Sequence, residues 1–122
     1  MTKKRDYFLL KEVKINKANE LVQFETKFSG EAKRVIGYFL SATKSNDKLA
    51  LATVGISFNG GRENTINQDL IVRNPVNIRR RTQPLCQNQI ILQNSYVKGF
   101  IEDKGVAAVP YTVKIYFHLS RN

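Results

Sequence analysis

The stretch "PYTVKIYFHLS", residues 110–120, decides the fold class. Val113, Ile115, Phe117 and Leu119 alternate with Thr112, Lys114, Tyr116 and His118. Successive side chains of an extended chain point to opposite sides, so this period of two builds one apolar and one polar face. That is the pattern of a half-buried strand, because a helix would repeat its apolar residues every three or four positions.

The same rhythm recurs upstream. In "ELVQFETKFSG" (20–30), Val22, Phe24, Thr26 and Phe28 share one side, and Gln23, Glu25 and Lys27 the other. Further strands are predicted over 6–15, 34–43, 49–59, 65–72, 88–93 and 95–103. Turn formers separate them: Asn16 with Asn19, Ser29-Gly30, "KSNDK" at 44–48, Asn59-Gly60-Gly61, Asn74-Pro75 and "DKG" at 103–105. The count is eight strands, or nine if 76–80 pairs as well. Only "NKANELV" (16–22) tempts a helix, and it is too short to carry a sustained 3.6-residue stripe.

Many short alternating strands joined by turns predict an all-β chain, an antiparallel β-sandwich. Eight strands in this length suit a single jelly roll, although a Greek-key sandwich or a partly open barrel would give the same linear pattern. A chain of 122 residues, 42% hydrophobic, fits one core. The expected organisation is a basic N-terminal arm over residues 1–5 and a single β-sandwich domain over 6–122. The apolar run Tyr7 to Leu10 is too short for the core of a signal peptide, and nothing approaches the length of a membrane span. Synthesis in a cytoplasm is expected, with neither a signal peptide nor a transmembrane segment.

The inventory of reactive groups is thin. His118 is the only histidine, and its phase in the last strand turns it toward solvent or a neighbouring subunit. Cys86 is the only cysteine, so no internal disulfide and no cysteine metal cluster can form. Amides rather than a base surround it in sequence, which favours a small apolar filler over a nucleophile. Glu102 and Asp103 are adjacent, so in a strand they face opposite ways and flank the turn into Gly105. "FNGGREN" (58–64) has two glycines but neither a Lys-Ser/Thr ending nor a following helix, and reads as a hairpin loop. The chain is therefore expected to be no enzyme, with no cofactor, no metal and no small-molecule substrate.

Charge is the stronger signal. Twenty Lys and Arg against ten Asp and Glu give a net of +10, a field that draws polyanions or acidic protein faces. The densest basic groups are Arg79, Arg80 and Arg81, with Arg73 nearby, and Lys3, Lys4 and Arg5. If 76–81 is extended, Arg79 and Arg81 project together with Asn77. Arginine's planar fork suits phosphates and carboxylates, so these seven residues are the candidate contacts to a polyanion or protein partner. A solvated edge that repels other sheets is the competing reading. Tyr38, Tyr96, Tyr111 and Tyr116 are scattered over separate strands, and no RNP-like or KH-like motif accompanies them.

The segments "VIGYFLSAT" (35–43), "ATVGISFNGGRENTINQDLIV" (52–72), "NSYVKGFIED" (94–103) and "PYTVKIYFHLS" together resemble the small single-jelly-roll proteins of bacteriophage particles, the penton or minor capsid type. They are similar also to short virion proteins of phages whose hosts are Bacteroidetes. The resemblance runs from Arg34 to the end and lies in strand rhythm and length. It implies a virion protein that forms a homo-oligomer, usually a pentamer, at a capsid vertex and touches the major capsid protein. A basic arm directed inward would meet packaged nucleic acid or an anionic internal membrane. The alternative is a nucleic-acid-binding β-barrel module acting on single strands through a basic surface.

Overall fold

The structure, a computed structural model, describes residues 6–28, 31–46, 48–58, 65–71, 83–84, 90–91 and 96–121. Among these residues there is no helix. The strands are β1 (Asp6–Ile15), β2 (Leu21–Lys27), β3 (Arg34–Ala42), β4 (Ala52–Phe58), β5 (Thr65–Leu70), β6 (Gln83–Pro84), β7 (Ile90–Ile91), β8 (Tyr96–Asp103) and β9 (Tyr111–Ser120). One sheet has the order β1-β9-β3-β6, with β7 also on β3, and the other has the order β2-β8-β4-β5.

The pairing is nested along the chain. β4 pairs with β5, β3 with β6 and β7, β2 with β8, and β1 with β9, all antiparallel. The chain thus behaves as one long hairpin whose arms are rolled up, so that β9 also joins β3 and β8 also joins β4. Rolling a nested hairpin into two sheets is jelly-roll connectivity, and it distinguishes this β-sandwich from a barrel closed by neighbour-to-neighbour pairing.

Of the expected eight regular strands, the described residues show seven strands of six residues or more, together with two two-residue pairings on β3. Of the run predicted over 88–93, only Ile90–Ile91 is a described strand. A pairing at Gln83–Pro84 was not expected. Proline lacks the N–H that a continuing ladder requires, and its place at the end of the sheet order is where it is tolerated. The run proposed at 76–80 lies outside the described residues.

Alternation fills the space between the sheets. From the five-stranded sheet come Val13, Ile15, Val35, Val113, Ile115, Phe117 and Leu119, and from the other Phe24, Val54, Ile56, Phe58, Leu70, Val97 and Ile101, all buried. Phe117 lies at the centre, with the rings of Phe28 and Phe58 edge-on to it at 5.2 and 6.0 Å. The Tyr38 hydroxyl donates to Gln68 Oε1, giving the two inner polar groups each other as partners. Lys11, on the inner side of edge strand β1, is half-buried, an inward charge of the kind that discourages a further strand from adding there.

A bulge in β3 resets one face. Val35 pairs with Leu119 and Gly37 with His118, so Ile36 is the extra residue. Val35 and Tyr38 consequently both point inward, while Phe39 is carried to the outer side beside Tyr116, where it is nonetheless buried.

Asp103 ends β8 on the inner side, 3% exposed, while Glu102 faces out. Its Oδ2 accepts the backbone N–H groups of Asn19 at 2.8 Å and Gly105 at 3.0 Å, and its Oδ1 accepts the Tyr111 hydroxyl. One carboxylate therefore ties the β1–β2 turn, the β8–β9 loop and the first residue of β9. Asn19 holds the turn at φ 61°, a left-handed conformation that asparagine tolerates.

Candidate functional site

The sequence-predicted contact residues Lys3, Lys4, Arg5, Arg73, Arg79, Arg80 and Arg81 all lie outside the described residues, as do Cys86 and the "NGGREN" loop. Their share of the charge can still be read. The described residues hold twelve Lys and Arg against eight Asp and Glu, a net of +4, so +6 of the +10 belongs to the remainder. The described sandwich is thus only mildly basic.

What the described residues bring together is an apolar block on the outer side of β1 and β9. Outward residues on paired strands stand side by side, and the register sets Phe8 beside His118 and Leu10 beside Tyr116. Phe8 is 53% exposed and Leu10 43%. The Phe8 and His118 rings stack at 4.8 Å and 18°, and Phe39 meets Tyr116 at 5.8 Å. Beyond the block, Asp6 Oδ2 stands 3.5 Å from His118 Nε2, and toward the other end come Glu12, Lys14 and Lys114.

Among the described residues this block lies at the edge of its sheet. A large aromatic and a leucine that stay in water on an edge strand are costly to expose and favourable to cover. The polar residues around them form the kind of rim found at protein contacts. His118 faces outward, as its strand phase predicted, with Phe8 and Asp6 against it.

Two further titratable groups, Tyr111 and Asp69, are held in contacts within the sandwich. Burial first, then the hydrogen bond to Asp103 and its charge, pushes the Tyr111 hydroxyl above its ordinary range. Lys104 lies 3.0 Å from Asp69 and, with the Thr53 hydroxyl, holds that carboxyl below its usual range. Among the described residues no group of three His, Cys, Asp or Glu could hold a metal ion. Among them also, no helix is long and apolar enough to cross a membrane.

The reading by alternation missed Phe8 and Leu10 as surface residues. The signal was there: "YFLL" (7–10) is apolar on both phases, and a strand with only one buried face should not be. No family model, curated protein or solved structure matches the chain.

Proposed function

We propose that this chain is a non-enzymatic structural component of a virion. It is a small jelly-roll capsid protein of the penton or minor capsid type, which assembles as a ring and contacts a major capsid protein. The observation that carries the reading is the exposed Phe8–Leu10 block at the edge of a rolled sandwich. Repetition of one such patch around an axis buries it on every copy. The rigid two-layer core suits a protein that works by fitting against neighbours. The resemblance of its strand rhythm to phage jelly rolls supplies the biological setting, and the pentamer is the ring it implies.

The basic residues that lie outside the described ones serve a second contact in this reading. Arg79, Arg80 and Arg81, and the arm of Lys3, Lys4 and Arg5, meet packaged nucleic acid, an anionic internal membrane or an acidic neighbour, an attraction that weakens as salt rises. Changing the three arginines together to Gln separates these uses: loss of polyanion binding with assembly intact assigns them to nucleic acid or lipid, and loss of assembly assigns them to protein.

The test is co-expression with the products of the flanking genes, followed by sizing and imaging of any shells. The chain is expected in the shells at a fixed substoichiometric ratio. Tight, salt-sensitive binding of single-stranded nucleic acid by the isolated protein, with no incorporation, would instead establish the nucleic-acid-binding module.

A further inference from the structure

The outer side of the four-stranded sheet carries a groove of about 380 Å³ whose lining the virion reading does not use. Its floor is one row of the ladder. Gln23 pairs with Phe100, Phe100 with Gly55, and Gly55 with Asn67, so these four stand in line across β2, β8, β4 and β5. Gly55 is what shapes it. A Cβ there would stand inside the Phe100 ring, so only glycine lets the ring lie down over the neighbouring strand as a flat apolar platform. Amides flank the platform on both sides: Gln23 on one and Asn67 on the other.

The next row, about 7 Å along the strands, holds Glu25, Lys98 and Ser57. Lys98 Nζ lies 3.8 Å from Glu25 Oε1 and both side chains are exposed, so a strong donor and a strong acceptor stand together beside the platform. Charge decides what class of ligand fits. Among the described residues on this side, Lys27, Lys98 and Lys104 face Glu25, Glu102 and Asp69, three against three, in a chain of net +10. A polyanion gains no net attraction here.

We infer that this groove is a binding site for a neutral carbohydrate. The apolar C–H side of a pyranose lies on the Phe100 ring, and vicinal hydroxyls donate to Glu25 and accept from Lys98. The amides of Gln23 and Asn67 take the hydroxyls of adjoining residues in the manner of the few polar groups that orient a ligand in an otherwise apolar pocket. The site is open and shallow, so binding is weak per copy and gains strength from repetition in a ring. The inference stands apart from the virion reading, since a monomer would bind the same sugar.

The test is amide NMR of the whole chain titrated with four neutral tetrasaccharides built from glucose (α-1,4 and β-1,4), mannose and N-acetylglucosamine, each to about 10 mM. An oligothymidylate and a heparin tetrasaccharide serve as anionic probes. At least one neutral sugar is expected to shift Gly55, Asn67, Gly99 and Phe100 with millimolar or tighter affinity that 0.5 M salt leaves unchanged, about 0.5 M being enough to screen surface charge. Phe100→Ala and Asn67→Ala, both on the outer surface, should each weaken it about tenfold while the remaining spectrum is preserved. Silence from all four neutral sugars overturns the inference, and so does a groove response confined to the anionic probes and abolished by salt.

Discussion

Replacing Asp103 tests how this sandwich is tied at one end. Its carboxylate accepts three hydrogen bonds while 3% exposed. In Asp103→Ala the Tyr111 hydroxyl loses its acceptor inside the core, and the N–H groups of Asn19 and Gly105 lose theirs. Bonds to a charged acceptor contribute about 1.5–3 kcal/mol each, but the two loop N–H groups are only part-buried and can turn to water. A net loss of about 3–5 kcal/mol results, a large fraction of the roughly 5–15 kcal/mol that holds a domain together. Asp103→Asn behaves differently. Its amide oxygen can still accept both N–H groups, and its NH₂ can donate to the tyrosine oxygen, so the loss is about 1–2 kcal/mol. Urea unfolding at neutral pH measures both: with a slope of about 2 kcal/mol per molar, the alanine variant's midpoint falls by about 2 M and the asparagine variant's by less than 1 M. An alanine variant within 1 kcal/mol of the parent, or the two variants alike, would refute the reasoning.

Tyr111 makes a pH prediction. Its folded pKa is raised above the ordinary 10.0, chiefly by burial, so the stability it contributes is fully present below pH 10.0 and is lost as pH climbs further. The urea midpoint should drop above that pH, less steeply in Tyr111→Phe, and an absorbance titration should show Tyr111 ionising above the ordinary tyrosine range. Phe117→Ala removes the ring against which Phe28 and Phe58 pack and should cost about 3–5 kcal/mol by the same urea assay. Phe8→Ser with Leu10→Ser should leave the monomer's stability within about 1 kcal/mol, since both side chains are half in water, yet disperse the oligomer. Sedimentation velocity reads that outcome.

Much of the fold was legible because one buried face per strand writes itself into the sequence with period two. The faces of β2 and β9 follow from alternation alone, and the strand predicted over 6–15 is β1. The bulge at Ile36 was not legible: uninterrupted alternation in "RVIGYFLSA" puts Val35 with Phe39, whereas the extra residue puts Val35 with Tyr38 and sends Phe39 outside. Nothing local in the sequence marks such an insertion. Nor does periodicity reveal pairing, so the roll emerged only from the registers. Asp103 was placed correctly opposite Glu102 and beside the turn into Gly105, but its bond to Tyr111 depends on which chain ends meet in space. The groove depends on β8, distant in sequence, lying against the β4–β5 pair so that Phe100 lines up with Gly55 and Asn67. The arginine block that dominates the charge pattern lies outside the described residues, so its reading stands where residue chemistry left it.

In the proposed function this sandwich acts by repetition, with copies joined through the outer edge of β1. The native mass of the purified chain is the most direct measurement of that. A ring of five protomers of 14.0 kDa, dissociating when Phe8 and Leu10 become serine, is the predicted result. A 14.0 kDa monomer at every concentration, and equally in the presence of its shell partners, would contradict it.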